Sequence, residues 1–233
     1  MMDHQNRGHA LLGPSKAYQW MACTPSARLE EEFPDTSSEA AAEGTLAHEL
    51  AEQKVRNYFY SVEFGKRKLT AAINKLKKEH ADLWQEEMMG YTDDYLDFIR
   101  STALASPTEP YVAIEKKVDL TAYIPDGFGT ADCILICGDT IHVIDFKYGK
   151  NPNGRVSAEH NPQMQLYALG AYEAYRMLYM VKRVRMSIVQ PRLPEGITTW
   201  ETTLEELLAF GQVVKEKAAL AIEGKGEYAP SEK

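Results

Sequence analysis

Between Gly129 and Gly149 the chain reads GTADCILICGDTIHVIDFKYG, with two aspartates and a lysine at spacings that could do chemistry. Two runs rich in β-branched residues flank Gly138-Asp139, a two-residue connection of the kind that closes a β-hairpin. With those two residues as the turn, Asp132 falls opposite Asp145 on one face, with Cβ atoms roughly 5 Å apart. Period-two alternation carries Lys147 onto the same face. Ile134, Ile136, Ile141 and Val143 share that face, while Leu135, Ile144 and Phe146 take the reverse one. Both faces are apolar, so the hairpin is expected at the centre of a sheet covered on both sides.

Two facing carboxylates repel each other. At an effective dielectric of about 20 the repulsion is roughly 3 kcal/mol, or about two pKa units. A shared proton, a salt bridge to Lys147 or a divalent cation with oxygen ligands would each relieve it. On the hairpin alone, a structural Asp–Lys pair and a metal site both stay open.

The surrounding elements have to hold this hairpin. Ser15 is placed to cap a short helix through Met21, and Thr24-Pro25 starts another toward Phe33. Thr36-x-x-Glu39 reads as a capping box for a helix running toward Ser61, which Gly44-Thr45 breaks or restarts. On that helix His48, Glu52, Val55 and Phe59 share one face. Two polar groups at one end of an apolar stripe suit a ligand pair aimed at a buried site; a histidine held by its i+4 glutamate gives the same pattern. Residues 66–80 are rich in lysine and arginine and 82–97 in acids, and both stretches read as helices. The basic one is either a solvated face or a track for a phosphate backbone. Trp84, Tyr91, Tyr95, Leu96 and Phe98 read as packing residues.

Residues 111–119 alternate as a strand, with Glu115 facing either the acidic site or solvent, and Pro125-Asp126-Gly127 turns the chain into the hairpin. After Lys147 a loop with Gly149, Pro152 and Gly154 carries Lys150 and Arg155, a mobile basic loop well placed for phosphates. Asn161-Pro162 then caps a helix through about Tyr179, on which Gln163 and Tyr167 lie one turn apart. Residues 183–190 form a strand, Ile197–Glu201 an edge, and Leu204–Ile222 a closing helix. This order of elements suggests an α/β fold.

The chain has 233 residues and 44 % hydrophobic content, enough to bury one core. The expected division is a loose tail over 1–12, one domain over 13–224 and a loose tail over 225–233. No apolar run approaches the length of a membrane span and the N-terminus has no signal-peptide core, so a soluble cytoplasmic protein without membrane contact is expected. Cys23, Cys133 and Cys137 make neither a disulfide framework nor a local zinc motif. The net charge of −8 argues against coating nucleic acid by bulk electrostatics. A bound cation and a local basic strip would still allow such a partner.

Asp132, Asp145, Phe146 and Lys147 resemble the D…(D/E)-x-K core of the PD-(D/E)XK nucleases. Gly44-Thr45-Leu46-Ala47-His48 with Glu52, Gly129-x-x-Asp132, and Gln163-x-x-x-Tyr167 resemble the further boxes of its RecB-type branch. The resemblance runs from about Pro14 to Gln190 and is nearest to an uncharacterised group of prophage proteins. It implies a restriction-endonuclease-like core, a small central mixed β-sheet flanked by helices. It also implies a metal-dependent DNA nuclease, exonuclease-like and associated with phage or recombination, acting on single- or double-stranded DNA with a recombination protein as a further partner. Asp132, Asp145, Lys147 and Glu52 would be catalytic. His48, Asp132, Asp145 and the Phe146 backbone carbonyl would hold Mg2+ or Mn2+. Gln163, Tyr167, Lys150 and Arg155 would support the site or hold the strand.

The segment PSKAYQWMACTPSARL resembles an entry whose cysteine, in relatives with an iron–sulfur cluster, joins three more near the C-terminus. Here Cys23 stands alone, so a cluster is not completable within this chain and Cys23 reads as a packing residue. Two other functions stay open. One is a non-catalytic nucleic-acid-binding recombination-accessory module with the same fold, and the other is a metal-stabilised structural protein. The intact D…D-x-K set favours the enzyme, because a binder has no need to keep carboxylates next to phosphate.

Overall fold

A computed structural model describes residues 10–33 and 38–229. Its centre is a five-stranded mixed sheet in the order β1 (Tyr111–Asp119), β2 (Phe128–Cys137), β3 (Thr140–Phe146), β4 (Arg183–Val189), β5 (Ile197–Thr203). Only the β3–β4 pair is parallel. A parallel pair needs a crossover, and α6 (Pro162–Tyr175) lies in that connection. The fold is α/β, with helices on both faces of the sheet.

The hairpin register is the expected one. Cys137 pairs with Thr140 and Cys133 with Ile144 across Gly138-Asp139. Gly138 sits at φ 59°, in the first central position, where the tight hairpin turns place glycine. Alternation then divides the side chains between two cores. Ile134, Ile136, Ile141 and Val143 pack with residues of α6, α1 (Ala17–Ala22) and α7 (Leu204–Glu223). Cys133, Leu135, Ile144 and Phe146 pack with residues of α3 (Glu39–Phe59) and α5 (Glu87–Leu104).

Several local details differ from the sequence reading. Thr36 lies outside the described residues, and it is Ser38 whose Oγ accepts the Ala41 N–H and caps α3. That helix runs unbroken through Gly44-Thr45 to Phe59, because the long periodic stretch beyond that point outweighs one glycine. Ser15 caps nothing: Pro14–Lys16 is a 3-10 turn that leads into α1. The basic stretch forms α4 (Lys66–Glu79), whereas residues 82–86 make turns before α5 begins. The α6 helix stops at Tyr175, short of Tyr179. Leu12, expected within a loose tail over 1–12, is buried in the first core, and residues 1–9 lie outside the described residues. No helix among the described residues is long and apolar enough to cross a membrane.

Two buried polar groups fix how the layers lie. Lys54 of α3 donates to Asp93 Oδ1 and to the Met89 carbonyl of α5, each at 2.6 Å, and so locks the helix that carries His48 to its neighbour. His142 of β3 is buried, with Nε2 2.8 Å from Ser187 Oγ on β4.

Burial pushes the His142 pKa down to about 3, so the folded state keeps this ring neutral. An unfolded histidine takes up a proton near pH 6.5, and stability that is complete above that value falls as pH drops through it toward the folded pKa. His142→Phe should remove this loss. Between about pH 7 and pH 5 the difference in unfolding free energy between wild type and variant should change by about 2 kcal/mol, measurable by urea titration. A pH-independent difference would mean that the ring is not held neutral.

Candidate metal centre

The sheet's ladder opens at one level. The β1–β2 pairs run Ile114–Cys133 and then Lys116–Ala131, skipping Glu115 and Asp132 between them. The β2–β3 pairs stop at Cys133–Ile144, one step before Asp132 and Asp145 would meet. Three neighbouring strands therefore carry Glu115, Asp132 and Asp145 at the point where backbone pairing gives way. Glu115 has φ 48°, the left-handed region that costs a strand residue about 1 kcal/mol or more.

The two aspartates are not joined by a ladder rung as the register alone implies. Asp132 Oδ2 instead accepts the Phe146 N–H at 2.8 Å, and His48 Nδ1 lies 3.4 Å away. Asp145 Oδ2 lies 3.1 Å from Lys147 Nζ, but the angle makes no hydrogen bond, and this buried oxygen has no hydrogen-bond partner. Burial is the first cause that raises the Asp132 pKa, to about 6, with the Asp145 charge adding to it and His48 and the Phe146 N–H opposing it. Burial also pushes Glu115 up to about 8, reinforced by Asp132 and Glu52. On Lys147 burial opposes the charge, but the attraction of Asp145 and Asp132 outweighs it and its pKa is raised.

One ligand atom each from His48, Glu115 and Asp132 lies within 4.8 Å of the others. These three line a cleft with Glu52, Tyr95 and Phe146 whose free volume is about 10 Å3, roughly the space of one water or one ion. Two carboxylates and an imidazole form a donor set of the kind that takes a divalent cation. The raised carboxyl pKa values and the orphaned Asp145 oxygen are what an apo cation site would produce. The residues present fit such a group.

The remaining sequence candidates fall in different places. Glu52 lines the cleft and its Oε1 accepts from Arg56 Nε at 2.6 Å, so the i+4 partner of this glutamate is an arginine and His48 is left to face Asp132. Lys147 Nζ donates to Gln163 Oε1 at 3.1 Å, and Gln163 Nε2 donates to the Tyr167 hydroxyl at 3.2 Å. Tyr167 is buried. Lys150 is exposed. Arg155 donates to the carbonyls of Pro194 and Glu195, and Gln190 bonds Val156 N and Gly154 O, so the loop after Lys147 is strapped to the β4–β5 turn. Phe146 lines the cleft, and its N–H donates to Asp132 Oδ2. Glu115, which the sequence left between site and solvent, is in the donor cluster. Tyr95, read as packing, lines its cleft.

Gly129 shows how α6 comes so close. A Cβ there would lie 2.6 Å from Pro14 Cγ and 2.9 Å from Tyr167 Cε1. Gly129→Ala should cost about 2 kcal/mol by overpacking against a rigid ring. Gly44→Ala, where an added Cβ meets nothing within 4 Å, should be neutral or stabilising by up to about 1 kcal/mol in its helix. Urea denaturation of the two variants checks this pair, and equal effects would contradict the packing.

Among solved structures the chain is similar to SSO0001, with TM-score 0.32 and 12 % identity over 88 % of this chain and 86 % of that one. It is also similar to an alkaline exonuclease, LHK-Exo, from Laribacter hongkongensis, with TM-score 0.34 and 14 % identity over 76 % of this chain and 91 % of that one. A structure of LHK-Exo in complex with dAMP gives TM-score 0.36 and 16 % identity over the same shares. Likeness at this level says nothing about the chemistry of this chain, which rests on its own side chains. The family model described as "Protein of unknown function (DUF2800)" matches residues 9–233, and by that extent the chain belongs to this family.

Proposed function

We propose that the protein is a metal-dependent DNA nuclease that hydrolyses phosphodiester bonds, a member in kind of the RecB-type PD-(D/E)XK group that its motifs resemble. One observation carries the reading furthest. An ammonium, Lys147, is held by Asp145 and Gln163 beside the His48–Glu115–Asp132 donor cluster. A site that only bound a cation would gain nothing from an ammonium next to it. A site that met an anion would.

His48, Glu115, Asp132 and Asp145, with the Phe146 carbonyl, would hold Mg2+ or Mn2+. A cation bound there supplies Lewis-acid polarisation of the phosphate and a lower pKa for the attacking water. The chain's own groups do the rest. Lys147 donates toward the phosphate oxygen or the attacking water as negative charge develops. Gln163, fixed by Tyr167, keeps the Lys147 ammonium aimed, and Glu52 with Arg56 closes the other side of the cleft. The water oxygen would bond phosphorus and lose a proton to solvent, while the bond to the leaving oxygen breaks and that oxygen takes up a proton from solvent. Lys150, exposed on the strapped loop, is free to meet a neighbouring phosphate.

End-labelled DNA should be cut in Mg2+ or Mn2+ and left intact in EDTA. At a free cation concentration of about a hundred times its Kd, binding should stabilise the wild type by about 2.7 kcal/mol, and Asp132→Asn should lose that gain. Lys147→Ala should keep the cation-induced stabilisation and lose cleavage by about a hundredfold or more. A chain that binds DNA and the cation but never cuts would assign the site to a nucleic-acid-binding module instead. A Lys147→Ala variant that cuts at the wild-type rate would remove Lys147 from the chemistry.

A further inference from the structure

The helix α4 has no part in the site above, and its charge is out of keeping with the rest of the chain. Six of its fourteen residues are basic, Lys66, Arg67, Lys68, Lys75, Lys77 and Lys78, and its one acid is Glu79. The whole chain carries −8. No other described helix holds more than two lysines or arginines. Leu69, Ala72, Ile73 and Leu76 recur at helical spacing and share one face. Ile73 and Leu76 sink that face into the core that holds Phe146 and the α3 residues Leu50 and Val55. Lys66, Arg67, Lys68 and Lys78 fall on the opposite side and are exposed.

Ion pairing divides the six. Lys75 pairs with Glu79 and Lys77 with Glu86. The other four have no carboxylate partner among the described residues, and Lys68 Nζ donates to the Glu63 carbonyl at 2.5 Å. Three of these four stand in the first turn, where the free backbone N–H groups are already positive and the helix dipole favours acids. That turn has no acid. Local stability thus argues against the arrangement, and an anion from outside the chain would offset its cost. A face kept for solubility alone would do as well with mixed signs, as α7 shows with Lys215, Glu216 and Lys217.

The position of α4 suits a substrate that reaches the cleft. It belongs to the same layer as α3, the helix that carries His48 and Glu52. From its last turn, contacts run on toward Lys147. Lys77 bonds Glu86, the next residue Glu87 bonds Arg192, and Arg192 meets the carbonyl of Tyr148, the residue after Lys147. From Lys66 to Lys78 the helix rises about 18 Å, the axial length of about five phosphates of one strand.

We infer that the exposed face of α4, through Lys66, Arg67, Lys68 and Lys78, binds the phosphate backbone of DNA whose reacting bond lies in the cleft. This rests on the DNA reading above and adds the surface that holds the substrate away from the cation. Such contacts release counterions, so their signature is the salt dependence of binding.

The test compares the wild-type chain with a variant carrying Lys66→Gln, Arg67→Gln, Lys68→Gln and Lys78→Gln, all exposed and all to a good helix former. The probe is fluorescein-labelled DNA with phosphorothioate linkages, which keep the charge and resist hydrolysis, as duplex and as single strand. Anisotropy in Mg2+ over a salt series gives the slope of log K against log salt. The variant's slope should be shallower by about 0.9 per lost contact on the duplex, or about 0.7 on the single strand, hence by about 3 in all. Its Mg2+-induced rise in melting temperature should stay at the wild-type value, since the cleft is untouched. If the combined variant unfolds, Lys66→Gln with Arg67→Gln and Lys68→Gln with Lys78→Gln should each show about half the change. Equal slopes and affinities would overturn the inference and leave α4 a solvated face. So would a wild type that binds neither form of DNA. Vesicles containing phosphatidylglycerol form the other arm: if the variant loses these and binds DNA as the wild type does, the face meets anionic lipid and the inference is overturned. Cutting of unmodified end-labelled DNA reports separately on the nuclease reading. A wild type that never cuts, but whose salt slope falls in the variant, keeps the α4 track and fails only as a nuclease.

Discussion

The constraint on which the rest of the structure depends is the gap in the backbone ladder around Asp132. Three adjacent strands bring Glu115, Asp132 and Asp145 to one level between two apolar layers, and neither neighbouring ladder closes there. Burial makes each negative charge expensive, and proximity makes the second and third more so. The metal-free protein answers with partial measures. A proton stays on Glu115 at neutral pH, a backbone N–H and an imidazole serve Asp132, and an ammonium serves Asp145. None of these offsets burial and the Asp145 charge, which in that order hold the Asp132 pKa up at about 6.

The two helical layers feed this gap from opposite sides. The α3 helix brings His48 and Glu52 from one face, and its position is locked to α5 through the buried Lys54. From the other face α6 brings Gln163 and Tyr167, and it approaches β2 closely because residue 129 has no Cβ to meet the Tyr167 ring. Arg192 then ties the layers together beyond the strand ends. It bonds Glu43 of α3 and Glu87 of α5 at 2.8 Å each and stacks 4.4 Å above the ring of Tyr148, the residue after Lys147. A site assembled from so many elements holds its geometry only if each of these contacts holds.

Much of this was legible in the sequence, for a definite reason. The Gly138-Asp139 turn has two residues, so it sets the β2–β3 register by itself, and with it the faces of Asp145 and Lys147. The helix spacing of His48 and Glu52, and of Gln163 and Tyr167, needed only the 3.6-residue period. Glu115 could not be placed in that way. Its strand joins β2 through residues 120–127, a connection with no fixed offset, so its partner across the sheet could not be counted from the turn. Its left-handed backbone also breaks the alternation on which a facing argument relies. The strap on the 148–156 loop was equally hidden. Glycines and a proline there read as mobility, whereas the bonds that restrain it come from Gln190 and from carbonyls forty residues away. Thr36 and Ser38 are both good caps, and the choice between them turns on a two-residue difference that propensity does not resolve.

The distribution of charge gives the strongest physical case for a cation at the gap. The chain carries a net charge of −8, so a polyanion gains nothing from its overall field. Around the cleft most acids already have partners: Arg192 answers Glu43, Arg56 answers Glu52, and Lys147 answers Asp145. Among the described residues no lysine or arginine pairs with Glu115 or Asp132; only His48 stands beside Asp132, at 3.4 Å. Among the described residues of the cleft, the charge left without a lysine or arginine thus falls on the cluster whose donor atoms lie within 4.8 Å of each other. A divalent cation bound there cancels that charge and reverses the local sign at the point where a phosphate would have to approach. Without it, the negative charge of Asp132 would repel a phosphate. On the proposed reading the cation would serve binding as much as chemistry, and Lys147 at its side would add to a local positive pole on an otherwise acidic surface.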